Sequence, residues 1–223
     1  MINLDDKIIG SVSTFGVALA QFHTAIPAMP IQRHAALVFK EKSKDKLNIL
    51  HLATHYDLRC EPIKNSYKCI PSSYFEDDDL QIFAETASRI WDKNGGKGIP
   101  YGFFYTGASV FNGDLTFKDQ EGAGLTCATF LLAFFAELGY DLIDIEGWQP
   151  REDDTQWQTF ILSQLSGALG EEKAKTMEAS IGVAFRFRPE EVTGSYSGYE
   201  GAPLDFNDAV VMGENLILEY NQQ

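Results

Sequence analysis

One apolar stretch, TCATFLLAFFAEL, runs from Thr126 to Leu138. Its aromatic and aliphatic residues leave almost no polar face, and Gly139 follows it as a typical helix stop. A helix that is apolar on every side has to be buried in the centre of its domain. We therefore expect the other elements of the chain to pack around this helix.

The chain before this helix is predicted to form strands. The segments His34 to Phe39 and Asn48 to Thr54 are short, apolar and compatible with strands, and the charged run Lys40 to Lys46 between them predicts a hairpin loop. Leu58 to Ile63 is a candidate third strand, and the apolar segment Ile8 to Ala20 is expected to face the core. Together these segments predict a small antiparallel sheet.

The rest of the chain is predicted to be mainly helical, because acidic residues precede apolar residues at helical spacing. A candidate strand, Phe185-Arg186-Phe187, interrupts this pattern. The pattern predicts an α+β fold in which the sheet packs on the central helix, with additional C-terminal helices outside. The predicted helices are Asp77 to a stop at Asn94-Gly95-Gly96, Asp153 to Leu165, Glu171 to Ser180 and Asp205 to Tyr220.

The composition limits the classes of partner and site. The 223 residues are 44% hydrophobic, which is enough to bury a full core. Asp and Glu number 32 against 18 Lys and Arg, so the net charge of −14 disfavours nucleic acid and membrane surfaces as partners. The odd count of three cysteines is typical of a reducing compartment, here the cytoplasm. The spacing of His55, Cys60 and Cys69 matches no zinc pattern, so the sequence predicts no metal and no cofactor.

Cys127 is the candidate nucleophile. It follows the glycine-containing approach Glu121 to Thr126 and falls in the first turn of the apolar helix. The unpaired N–H groups and the positive dipole end there favour a thiolate, which predicts a lowered thiol pKa when a histidine is near. The same N–H groups can stabilise the oxyanion of a tetrahedral intermediate. The alternative is that Cys127 is a small buried residue of the core, as free cysteines often are.

Two histidines, His34 and His51, stand inside otherwise apolar strands. If the hairpin turns symmetrically about Ser43-Lys44, His51 lies opposite Ala36 and shares a face with His34 at a diagonal position. On a shared face, one imidazole can act as general base while the other orients it. For each histidine taken separately, a half-buried and hydrogen-bonded imidazole is the alternative.

The order His34, His51, Cys127 resembles the circularly permuted papain-like fold, the group that includes permuted NlpC/P60 and lecithin:retinol acyltransferase-like proteins. The runs His34 to Phe39 and Ile49 to Leu52 look like its two histidine strands, and Gly124 to Phe130 looks like its cysteine segment. The resemblance implies that Cys127 is the nucleophile, His34 the base and His51 the orienting residue. It also implies a papain-like core over about 30–140 and a helical extension over about 141–223, within one domain.

Two classes of function stay open on the sequence. One is a thiol-dependent hydrolase or acyltransferase, similar to cysteine proteases, that acts on a peptide, amide or acyl substrate through Cys127, His34 and His51. The other is an acidic interaction or immunity-type binding protein, since a charge of −14 speeds encounter with a basic protein partner. A catalytically inactive papain-like binding domain is a third alternative.

Overall fold

The chain combines a single sheet with several helices, as predicted. A computed structural model describes residues 8–25, 29, 31–41, 46–120 and 122–222, which form an α+β fold with five strands and six helices. None of the helices in these ranges is long and apolar enough to cross a bilayer. The strands are β1 (Phe15–His23), β2 (Ile31–Lys40), β3 (Leu47–Thr54), β4 (Asp57–Pro62) and β5 (Tyr67–Ile70). The helices are α1 (Asp77–Asn94), α2 (Cys127–Glu137), α3 (Asp154–Leu165), α4 (Glu171–Ser180), α5 (Pro189–Ser197) and α6 (Phe206–Tyr220).

The sheet is antiparallel at every described pairing and has the order β4-β3-β2-β1-β5. β2 pairs with β3 through Leu37 opposite Leu50, which confirms the predicted register. Between described residues this pairing stops at Leu37 and Leu50, while β2 continues against β1 and β3 against β4. The two strands therefore separate towards their far ends. Residues 42–45, with the predicted turn at Ser43-Lys44, and Glu121 lie outside the described residues.

The two faces of the sheet pack differently. On the inner face, Ala35 and Leu37 belong to the main core, which α1, α2 and α5 complete. On the outer face, Ala36, Val38 and Ile49 belong to a second, smaller cluster. Successive side chains of a strand point to opposite faces, so the parity of a residue number in β2 or β3 tells which cluster it joins.

Helix α2 lies in the centre of the main core, as predicted. Every residue from Cys127 to Phe135 is buried. Its first turn is closed by a capping box: the Thr126 hydroxyl accepts from the Thr129 N–H (3.1 Å), and the Thr129 hydroxyl accepts from the Thr126 N–H (2.7 Å). This reciprocal pair fixes Cys127 as the first residue of the helix.

The segment before α5 differs from the prediction. The sequence makes Phe185-Arg186-Phe187 a candidate strand, but it pairs with none of the described strands, and Phe187 packs on Trp148 with ring centroids 5.1 Å apart. It leads into α5, which the sequence did not predict because Gly194 and its serine neighbours are weak helix formers. A Cβ at Gly194 would lie 2.9 Å from the Met212 carbonyl of α6. Close packing of α5 on α6 therefore requires glycine at this position. The same glycine weakens the helix signal in the sequence.

Candidate active site

A cavity of about 190 Å³ lies at the N-terminus of α2. Cys127 and Thr126 line it from the helix, His34 lines it from β2, and Tyr101 and Arg186 line it from the connecting segments. The structure thus brings two of the three predicted catalytic residues to one cavity. His51 is not among the described residues that line it.

The Cys127 thiol is held in its protonated form. Burial raises the pKa of Cys127 to about 11, although hydrogen bonds to backbone groups at Ala35 and Ala128 act in the opposite direction. The carboxylate of Glu190 adds a smaller upward shift. The lowered thiol pKa that the helix N-terminus led us to predict is therefore wrong, because desolvation outweighs the N–H groups and the dipole.

His34 and His51 contact each other directly. The Nε2 atom of His34 lies 2.8 Å from the Nδ1 atom of His51, and the two rings meet edge to face with centroids 4.9 Å apart. The predicted shared face is confirmed. Burial, together with the positive charges of Arg59 and of a protonated His51, lowers the pKa of His34 to about 3. Burial also lowers the pKa of His51, so both imidazoles are neutral near pH 7.

Glu61 extends this contact into a chain of three side chains. Its Oε1 atom lies 3.4 Å from Nε2 of His51 and 2.7 Å from the Lys64 ammonium. A carboxylate only accepts, so the proton of the neutral His51 ring belongs on Nε2 and its Nδ1 accepts from the Nε2–H of His34. This assignment leaves the Nδ1 lone pair of His34 free to act as a base. The sequence analysis missed Glu61, whose only signal was its place on β4 opposite Ile49, on the face that His51 shares.

The sulfur and the imidazoles come from opposite sides of the sheet. His34 shares its parity with Ala36 on the outer face, whereas α2 packs on the inner face. No hydrogen bond between described side chains joins Cys127 to either histidine. The cavity lies where β2 and β3 have separated, and it is lined by both His34 and Cys127. The cavity is therefore the place where base and nucleophile can approach each other.

Tyr67 packs beside the histidine pair, and the charge of a Cys127 thiolate acts on both Tyr67 and Tyr101. The ring of Tyr67 lies 6.5 Å from that of His34 and 6.2 Å from that of His51. Burial raises the pKa of Tyr67, and the charge of a Cys127 thiolate raises it further. The same two causes raise the pKa of Tyr101. The thiol thus lies within electrostatic range of the residue that packs on both histidines.

His55, Cys60 and Cys69, which the sequence analysis considered as metal ligands, are separate from one another in the structure. His55 accepts a hydrogen bond from the Tyr101 N–H at its Nδ1 atom (3.0 Å). Cys60 lies on β4 and Cys69 on β5, the two opposite edges of the sheet. Within the ranges that the structure describes, no three His, Cys, Asp or Glu side chains are arranged to hold a metal ion.

Replacing Glu61 with glutamine is expected to lower the pKa of His51. The Glu61 carboxylate raises that pKa through its hydrogen bond and its charge, against the larger lowering by burial. NMR titration of the imidazole nitrogens measures the change directly. Lys64→Gln is a matched control with the opposite sign, because the Lys64 ammonium lowers the pKa of His51. A His51 pKa that is equal in Glu61→Gln and in the unmodified protein would show that the carboxylate does not act on this ring.

The geometry of the site has to carry the functional argument without support from relatives. Comparisons of the chain with protein-family models, with curated proteins and with solved structures find no match.

Proposed function

We propose that the protein is a thiol-dependent hydrolase or acyltransferase for amide or ester substrates, with Cys127 as nucleophile, His34 as general base and His51 as orienting residue. The observation that carries the proposal is that Cys127 and His34 line one cavity while His34 is hydrogen-bonded to His51. Two histidine strands followed by a cysteine at the start of a buried helix also support a permuted papain-like arrangement.

In the proposed reaction, Nδ1 of His34 accepts the proton of the Cys127 thiol as the sulfur attacks the substrate carbonyl carbon. The S–C bond forms, and backbone N–H groups of the first turn of α2 stabilise the oxyanion. Collapse of the tetrahedral intermediate breaks the bond to the amine or alcohol, which takes the proton back from His34. Water or a second acceptor then attacks the thioester carbonyl carbon and gives a proton to His34. The C–S bond breaks, and His34 returns the proton to the Cys127 sulfur.

Because the pKa of the Cys127 thiol is high, the reaction needs a base that removes the thiol proton. A thiol with a pKa of about 11 is almost entirely protonated near pH 7, so it is a poor nucleophile unless a base removes the proton during attack. His34 is neutral in the same pH range, but with a pKa of about 3 it is a weak base, so substrate binding has to raise its pKa before it can take the thiol proton. The Cys127 and His34 side chains have to approach within hydrogen-bond distance in the substrate complex, as catalytic groups often do only after substrate binds.

Alkylation with iodoacetamide tests the proposal without a known substrate. At pH 7 we expect folded protein to label at Cys127 about tenfold faster than at Cys60 or Cys69, because Cys127 shares its cavity with the His34 imidazole. Peptide mass spectrometry gives the rate at each cysteine. His34→Gln is expected to remove the advantage, whereas substitution of His23, an exposed histidine outside the cavity, by glutamine is expected to keep it.

The opposite result supports the inactive binding domain. Without a base, the buried thiol with its raised pKa is expected to be the slowest of the three cysteines to react. Labelling of Cys127 only after unfolding, or equal rates in His34→Gln and unmodified protein, would rule out the proposed catalysis.

A further inference from the structure

Arg186 is a largely buried guanidinium in the wall of the cavity that contains Cys127. Its side chain is 14% exposed, and its Cζ atom lies 4.5 Å from the centre of the Trp157 ring. The Arg186 carbonyl accepts a hydrogen bond from the Trp148 indole N–H (3.1 Å). Both the backbone and the planar head group are thus held in position.

The hydrogen-bonding capacity of Arg186 is mostly unused. A guanidinium has five N–H donors, and among described side chains only Asp153 accepts one of them, from Nη1 at 3.2 Å. Asp153 also accepts from Arg188 at 2.7 Å, so one carboxylate serves two guanidinium groups. The Nε atom of Arg186 is buried and has no hydrogen-bond partner in the described chain. An unsatisfied buried donor is costly, which favours a ligand that accepts from it.

Arg186 differs from Arg33, the other cation in the cavity wall, in having a buried Nε atom without a hydrogen-bond partner among the described residues. Arg33 lies 2.7 Å from Glu190, so these two lining charges offset each other. Tyr101 lies within electrostatic range of both Cys127 and Arg186. The thiol and the guanidinium therefore face a common space of about 190 Å³.

We propose that the cavity binds an acyl substrate with a carboxylate close to the scissile carbonyl, and that Arg186 holds this carboxylate. The inference rests on the proposed function and narrows its substrate class. A guanidinium presents two parallel N–H groups that match the two oxygens of a carboxylate, so it selects such a group over a neutral amide of the same size.

Iodoacetate and iodoacetamide form a matched pair of probes for this site. Each forms an S–CH₂ bond with Cys127 and releases iodide, and they differ only in carrying a carboxylate or a neutral amide. We expect the ratio of the iodoacetate rate to the iodoacetamide rate at Cys127 to be about tenfold higher in folded than in unfolded protein. Arg186→Gln is expected to remove this preference. Arg188→Gln is the matched control, because Arg188 shares Asp153 but does not line the cavity.

The possible results separate the two proposals. A folded-state preference for iodoacetate that Arg186→Gln removes and Arg188→Gln keeps supports carboxylate recognition. A Cys127 that reacts readily with iodoacetamide, at a rate ratio that Arg186→Gln leaves unchanged, overturns the carboxylate site and leaves the thiol chemistry standing. A folded protein in which neither reagent labels Cys127 overturns the proposed function, and the carboxylate site with it.

Discussion

Replacing Phe134 with alanine is expected to lower the free energy of unfolding by about 3 to 5 kcal/mol. Phe134 is fully buried, stacks on Phe15 with ring centroids 5.5 Å apart and meets Phe135 edge to face at 5.1 Å. The substitution removes a whole ring from a cluster that joins α2 to β1, and close-packed neighbours refill such a space only in part. Unfolding by denaturant, followed by circular dichroism, measures the loss.

Phe104→Ala is the matched control for this substitution. The Phe104 ring is 58% exposed, so its removal is expected to change the free energy of unfolding by less than about 0.5 kcal/mol. Similar losses in the two variants would show that α2 is not the centre of the core. The result also bears on the site, because α2 carries Cys127 and its core contacts fix the position of that residue.

Elements with a strong local signal could be predicted from the sequence. α2 is apolar on all sides, and α1 has three aspartates in its first turn and glycines after its last residue, so their bounds agree with the prediction. α5 could not be predicted, because its stability comes from packing on α6 and on the sheet rather than from its own residues. β5 has only four residues and pairs with β1, a strand distant in the sequence.

Some features of the site could likewise be predicted from the sequence, and others could not. The contact between His34 and His51 follows from the length of one hairpin, which the sequence contains. The side of the sheet on which α2 packs does not follow, because both faces of β2 are apolar and each fills a cluster of its own. The raised pKa of Cys127 has the same origin: the sequence shows a helix start, whereas the depth of burial depends on the whole fold.

Acid is expected to destabilise the protein through His34. The folded pKa of His34 is about 3, against an ordinary value of 6.5, because burial and His51 disfavour the imidazolium. Below pH 6.5 the unfolded chain binds a proton at this residue that the folded chain does not bind, so His34 contributes stability above pH 6.5 that is lost as the pH falls towards 3. Each pH unit in this window changes the free energy of unfolding by about 1.4 kcal/mol.

Glu191 makes the stability change with pH in the direction opposite to His34. The two contributions therefore have to be measured separately. Burial raises the pKa of Glu191 to about 7, so between its ordinary value of 4.5 and pH 7 its contribution to stability falls as the pH rises. Over this range the two slopes oppose each other in the unmodified protein. The difference in unfolding free energy between the unmodified protein and His34→Gln removes the Glu191 contribution, which both proteins share.

Between pH 6.5 and pH 4, we expect the unmodified protein to lose about 3 kcal/mol of unfolding free energy relative to His34→Gln. Denaturant unfolding at each pH measures this difference. NMR titration of the His34 imidazole in the unmodified protein gives an independent reading if His34→Gln does not fold. A difference that is constant with pH, together with an imidazole that titrates near 6.5, would show that His34 is not desolvated in the folded state. The result bears on function, because the burial that costs stability in acid keeps His34 unprotonated near neutrality and also makes it a weak base, whose pKa has to rise in the substrate complex before it can take the proton of Cys127.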